Sequence, residues 1–167
     1  CENNMLILKL LSEELFDFSK EEMTTEKVKK LKERLNSEFS QIFQLCQMVL
    51  ESSSRPSLIS VTLKTLLRFM AWIPLGFIFE TNLVEKLTMK FLPQVDFRND
   101  TLACLTEIAS IKEPKYDNIF ENLFRTVMVF LEKQLPQETT NIALAMESAQ
   151  EREINFIRGL SLYLSAF

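Results

Sequence analysis

An uncharged stretch near the middle of the chain, residues 69–79, most limits how the chain can fold. It reads Phe-Met-Ala-Trp-Ile-Pro-Leu-Gly-Phe-Ile-Phe and contains the only tryptophan of the protein. It is too short for a membrane-spanning helix, which needs about 20 apolar residues, so it must be buried against the rest of the protein. Pro74 cannot continue a helix, and Gly76 allows the backbone angles that a chain reversal needs. The stretch therefore predicts the end of one helix, a corner and the start of the next.

The scarcity of glycine favours helices throughout the chain. Only 2 of the 167 residues are glycine, against an average of about 7%, and both tight sheet turns and phosphate-binding loops need glycine. With 47% apolar and 25% charged residues, the composition is that of an ordinary globular protein. We therefore predict an all-α chain with a sizeable core.

The charged and reactive residues argue against several functions. The net charge is −4, and the lysines and arginines are scattered, so the basic stripe of a nucleic-acid binder is missing. The 3 cysteines have no CxxC spacing, which favours neither a disulfide framework nor a zinc site, and no histidine is present to serve as a base or metal ligand. We predict no catalytic, cofactor-binding or metal site, and no membrane insertion, because charged or polar residues interrupt every apolar run.

Apolar residues recur at spacings of three and four along most of the chain, which is the pattern of amphipathic helices. Proline or polar segments separate the predicted helices, and Asn82-Leu83-Val84-Glu85 has the spacing of a capping box. The basic first half of the second helix is interleaved with glutamates and is interpreted as a solvated face. Neither end carries a stop signal, so we expect a piece of a longer array. The predicted helices span residues 1–18, 25–51, 57–73, 77–92, 98–111, 116–135 and 150–167.

A repeat links two of these helices. Residues 62–70 match residues 101–109 at an offset of 39 positions, close to the helix-pair period of HEAT and armadillo arrays, roughly 40 to 47 residues. The predicted fold is an α-α superhelix, a HEAT-repeat solenoid of about three and a half helix pairs. Residues 1–18 would be the second helix of a pair, followed by the pairs 25–73, 77–111 and 116–167.

Several segments also resemble a known family. Cys1 to Met5, residues 39–46, 65–69, 72–81 and 104–109 closely resemble the exportin-one family of nuclear export receptors, which are karyopherins of the importin-β superfamily. The Trp-Ile-Pro block at residues 72–74 is its most specific part. The resemblance covers essentially the whole chain in the same order. Departures concentrate at residues 19–37, 111–118 and 143–153, which the helix pattern places at the surface or in loops.

The resemblance implies a function. Proteins of that family form a ring of HEAT repeats that binds Ran-GTP together with leucine-rich export-signal cargo, contacts nucleoporins, and shuttles between nucleus and cytoplasm. This chain resembles the N-terminal third, which would contribute scaffold and part of the inner wall facing Ran. The cargo groove and its reactive cysteine lie in the central repeats of the family. None of Cys1, Cys46 and Cys104 is therefore expected to be that cysteine.

Candidate partner contacts come only from the helix pattern. Lys64 and Arg68 lie on the one polar stripe of the helix predicted over 57–73, a second helix of its pair. At the 39-residue offset, Glu107 is equivalent to Arg68 and Asn99 to Ser60 on the same stripe. A solvated helix edge is the competing interpretation of these residues. Trp72, Pro74 and Gly76 are predicted to be structural anchors of the corner, although a ligand-stacking role for the tryptophan stays open.

Two other functional classes stay open at the level of sequence. A regulatory HEAT-repeat scaffold, such as a phosphatase subunit, would share the helix pattern, and recovery of a phosphatase core without Ran in a pull-down would favour it. A histidine-free helical enzyme would need inward carboxylates clustered in a pocket. Adjacent glutamates such as 13–14 and 21–22 point apart on a helix and do not supply such a cluster.

Replacing Trp72 with alanine tests the corner. If the indole is a core anchor, its truncation should lower the free energy of unfolding by roughly 3 to 5 kcal/mol. Urea denaturation followed by circular dichroism measures this directly. A loss below about 0.5 kcal/mol, as at exposed positions, would instead place the side chain at the surface, where a stacking role is possible.

Overall fold

A computed structural model describes residues 3, 6, 7, 10, 25–70, 73–134 and 151–167, with side chains of the first long helix described from Phe39 onward. These residues form helices, turns and short connections, and no strand occurs among them. The all-α prediction is confirmed. Most of the predicted helix 1–18, Trp72, and residues 135–150 lie outside the described residues.

The chain divides into two compact units, Cys1–Thr81 and Asn82–Phe167. The first unit contains helix α1 (Thr25–Ser52), helix α2 (Pro56–Met70) and the short helix α3 (Leu75–Phe79). The end of α1 and the start of α2 are close to the predicted boundaries. The break between them is a polar connection: the Ser52 hydroxyl donates to the Met48 carbonyl, and Pro56 occupies the first position of α2 as predicted.

Helices α1 and α2 pack against each other in opposite directions and bury the core of the first unit. Near the start of the described side chains of α1, Phe39 meets Phe69 with ring centres 5.8 Å apart. At the other end, Cys46 and Val49 join the cluster that contains Leu58 and Val61. Phe39, Cys46 and Val49, at helical spacing along α1, are buried, and so are Phe43 and Leu50 between them and beyond.

The corner after α2 is built differently from the prediction. Pro74 is exposed and precedes α3 with φ −56° and ψ 136°, and its carbonyl accepts a bond from Phe77 N–H at 3.0 Å. Gly76 lies inside α3 and has no positive φ. The expectation that Gly76 supplies special reversal angles was wrong, because the chain turns through the extended backbone of proline and glycine is only a helical residue.

Helix formation is interrupted at Glu80–Asn82, inside the segment predicted as one helix over 77–92. The Thr81 hydroxyl donates to the Phe77 carbonyl at 2.8 Å, within the last turn before the break. Helix α4 (Leu83–Lys86) starts after Asn82, as the capping-box spacing suggested. The Asn82 side chain makes no capping bond, so that detail of the prediction was wrong.

The second unit continues from α4 into a wide helical turn, Leu87–Phe91, with i to i+5 bonding. Helix α5 (Arg98–Ala109), a tight 3₁₀ turn (Pro114–Tyr116), helix α6 (Asp117–Gln134) and helix α7 (Glu151–Ser165) follow. The wide turn packs against α5 and α6, and α5 makes its most extensive contact with α7. Helix α5 ends at Ala109, two residues before the predicted end at residue 111, and Pro114 begins the 3₁₀ turn.

Helices α2 and α5 bury the same positions at the predicted 39-residue offset. In α2 the buried set includes residues 62, 63, 65, 66, 69 and 70, and in α5 it is residues 101, 102, 104, 105, 108 and 109. Helix α2 in the first unit and helix α5 in the second therefore bury equivalent faces. The matched threonines differ in bonding: Thr62 donates to the Leu58 carbonyl at 2.7 Å, whereas the buried Thr101 hydroxyl has no partner among the described residues.

The buried thiol of Cys46 gives the first unit a predicted response to alkaline pH. Burial raises its pKa from the usual 9.0 to about 12. Between these values the thiol of the unfolded chain has lost its proton while the folded chain retains it, so stability falls as pH rises. The contribution is complete below about pH 9 and decreases by up to about 1.4 kcal/mol per pH unit above it.

Urea denaturation of the parent protein and of Cys46→Ala between pH 8 and 11 checks this. The variant should be less stable at pH 8 because of its cavity, yet its stability should fall less steeply above pH 9. Burial also raises the pKa of Tyr163, but that group is common to both proteins. Equal slopes would contradict a thiol that stays protonated in the fold.

Candidate functional site

The candidate contact residues of the first unit lie on the exposed edge of α2. Lys64 and Arg68 are both exposed and lie one helical turn apart, while nine other residues of this helix are buried. Arg68 lies in the last turn, where the helix dipole favours a positive charge. The predicted narrow polar stripe is therefore confirmed, and it presents two cations on one edge.

The equivalent edge of α5 has a different character. Glu107 is exposed, as predicted, and Ala103 one turn before it is half-buried. Alanine stands here at the position that Lys64 occupies in α2. The edge of α5 is therefore acidic where the edge of α2 is basic. Lys64 and Arg68 belong to the first unit, whereas Asn99 and Glu107 belong to the second.

Asn99 is engaged within the fold. Its Nδ2 donates to the carbonyl oxygen of Arg152 in α7 at 3.1 Å, and the Arg152 guanidinium forms an ion pair with Asp96 at 3.1 Å. The Oδ1 atom of Asn99 is buried without a partner among the described residues. The side chain is thus committed to the contact between α5 and α7 and is poorly placed to reach a partner protein.

Sequence reasoning missed the residues that meet Asn99 across the two helices. Arg152 and Asp96 are 56 positions apart, and no local pattern links them. No local pattern links Lys112 with Ala166 either, although the Lys112 Nζ donates to the Ala166 carbonyl at 2.6 Å. One available signal was Gly159, because a glycine inside a helix, in a chain with only two, marks a place of close approach.

The two described cysteines do not form a reactive site. Cys46 and Cys104 form no disulfide and are buried, with 1% and 0% of their surface exposed. The raised pKa of the Cys46 thiol keeps it protonated near neutral pH, and the thiolate is the nucleophilic form. These side chains act as small core residues, in line with the sequence interpretation.

Other chemistry is weakly represented in the part of the chain that the structure describes. Over those residues, no group of three or more aspartate, glutamate, cysteine or histidine residues is arranged to hold a metal ion. None of the described helices is both long enough and apolar enough to cross a membrane. A groove of about 250 Å³ lies beside Pro114, Phe120 and Phe167, with mostly apolar walls.

Comparison with known proteins then decides the family. The model of the family described as exportin 1-like protein matches residues 1–105, more than half of the chain. The chain belongs to the exportin 1-like family. The helical repeats and the corner block at 72–74 are thus features of an exportin 1-like chain.

Curated relatives match this exportin 1-like chain along all of its length. Exportin-1 of Schizosaccharomyces pombe is 52% identical over 168 residues, Exportin-1 of Drosophila melanogaster is 49% identical over 167, and EXPORTIN 1A of Arabidopsis thaliana is 44% identical over 167. In each case the match covers 100% of the chain but only 15 to 16% of the relative. The chain thus spans about one sixth of the length of these relatives.

Replacing Asn99 with alanine separates a structural role from a contact role. Because its amide donates across to α7, the substitution should lower the free energy of unfolding by about 1 kcal/mol. The matched control is Glu107→Ala on the same helix, which should stay within about 0.5 kcal/mol of the parent, as expected at an exposed position. Chemical denaturation of the three proteins measures the difference, and equal stability of all three would contradict the described hydrogen bond.

Proposed function

We propose that this chain is a segment of a nuclear export receptor that carries leucine-rich export-signal cargo out of the nucleus together with Ran-GTP. The observation that supports it is the match to the exportin 1-like family, with relatives named Exportin-1 aligned over the whole chain. The whole receptor would shuttle between nucleus and cytoplasm and contact nucleoporins at the pore. Cargo would bind outside this segment.

Within that receptor, we assign this segment a scaffold role and part of the inner wall facing Ran. Its helices bury one face on a partner helix and keep a narrow edge exposed, as α2 does with Lys64 and Arg68. Such an edge exposes a few side chains without weakening the core. This supports a binding surface made of separate charged residues, with the apolar faces reserved for helix packing.

The charges on this wall favour a folded protein as partner. Lys64 and Arg68 are positive on α2 of the first unit and Glu107 is negative on α5 of the second, so each edge would meet a partner surface of opposite charge. A polyanion such as nucleic acid would be repelled by the carboxylate and by the overall charge of −4. Asn99 leaves the proposed contact set, because its amide is already bonded to Arg152.

Simultaneous charge reversal of Lys64, Arg68 and Glu107 tests the proposal in the full-length protein. If these side chains face Ran, Lys64→Glu, Arg68→Glu and Glu107→Lys together should weaken binding of Ran-GTP by at least about tenfold, which is about 1.4 kcal/mol. The loss should shrink at high salt, since screening weakens exposed charges. Binding is measured by biolayer interferometry with and without an export-signal peptide.

The control exchanges an ion pair on another helix. Glu121 and Arg125 of α6 are exposed and paired at 2.7 Å, so Glu121→Arg with Arg125→Glu keeps the pair and the net charge. That variant should bind Ran-GTP like the parent. Unchanged binding by the triple variant would remove its three residues from the interface. If the parent protein recovers a phosphatase core and never Ran, the regulatory-scaffold alternative replaces the transport function.

A further inference from the structure

Helices α5 and α7 run parallel along a continuous contact, which we call the α5–α7 seam. Arg98 places its guanidinium 4.5 Å from the centre of the Phe156 ring. Leu102, four residues after Arg98, lies against Gly159, three residues after Phe156. The contacts advance in the same direction on both helices. The seam therefore has a defined axial register, meaning one position of α7 along α5.

Gly159 is a point of close approach in the seam. A Cβ atom added there would lie 3.1 Å from Leu102 Cδ2, tighter than ordinary van der Waals contact. In the alignment that matches Phe156 to Leu63, Gly159 stands where α2 carries Leu66 and α5 carries Leu105. Both leucines are buried, with 2% and 0% of their surface exposed. The position that carries leucine in α2 and α5 carries no side chain in α7, and Leu102 fills the space that a side chain there would take.

Polar contacts from residues near both ends of α5 hold α7. At the start, Asp96 and Asn99 bind the side chain and carbonyl of Arg152. At the end, Lys112 donates to the Ala166 carbonyl, one of the terminal acceptors that a helix cannot satisfy itself. Exposed contacts of this kind contribute little individually, so they adjust the register and the close approach at Gly159 determines it.

We propose that the fit between Leu102 and Gly159 is the positioning device of the α5–α7 seam, admitting one axial register of α7 on α5. A leucine fills the space that a second side chain would need. A shift of α7 by about one turn would bring a residue three or four positions away, such as Phe156 or Tyr163, against it. The inference concerns how two helices dock and is independent of the partner proposed above. It gives this glycine a function that helix propensity alone would oppose.

A side-chain exchange across the seam tests it. In the full-length protein, Gly159→Ala should crowd Leu102, and Leu102→Val should leave a gap. The double variant moves one carbon across the contact and keeps the total side-chain volume nearly constant, a change that cores tolerate best. Hydrogen exchange by mass spectrometry, on peptides covering 98–109 and 151–165, should be at least about threefold faster in each single variant and return close to the parent rate in the double variant.

The other glycine supplies the control. At Gly76 an added Cβ would meet only the flexible Glu80 side chain, at 3.4 Å, so Gly76→Ala should leave exchange in both seam peptides unchanged. Additive acceleration in the double variant would overturn the proposal, as would parent-like exchange in Gly159→Ala alone. If Gly159→Ala raises protection, helix propensity outweighs crowding and the steric fit is equally refuted.

Discussion

Burial of apolar side chains between neighbouring helices is the interaction on which every described part of this chain depends. The composition offers few alternatives, because glycine is scarce and the described cysteines form no disulfide. Helices α2 and α5 show the pattern most clearly, with six matched positions buried in each. A helix that gives most of its surface to neighbours can offer a partner only its remaining edge. That geometry limits the exposed candidate contacts to isolated residues such as Lys64, Arg68 and Glu107.

The sequence predicted the helices and their approximate boundaries because local rules govern both. Spacings of three and four identify buried faces, Pro56 and Pro114 begin or end segments, and the 39-residue offset identifies equivalent positions. The details that were predicted wrongly were also local, but they depend on backbone conformations that hydropathy does not report. At Glu80–Asn82 the helix stops although hydropathy would continue it, and at Pro74 the extended backbone alone makes the turn.

The candidate site was only partly predictable, because exposure and engagement are different properties. Helical spacing correctly placed Lys64, Arg68 and Glu107 on exposed edges. It placed Asn99 there too, although the structure directs that side chain toward Arg152, 53 residues away. Nothing in the spacing of either helix predicts which helix will lie beside it or at what register. Such information resides in tertiary packing, where the sizes of Leu102 and Gly159 matter jointly.

Thr101 shows that equivalent positions of two repeats can share shape without sharing chemistry. The Thr62 hydroxyl donates to a carbonyl of its own helix, while the hydroxyl of Thr101 is buried without an acceptor among the described residues. Valine has nearly the same shape and no hydroxyl to desolvate, so it would suit the second position better than the native residue does. The repeat therefore contains unused capacity for stability. Selection requires only that the fold is stable enough, so it need not have fixed the additional stability that valine at residue 101 could supply.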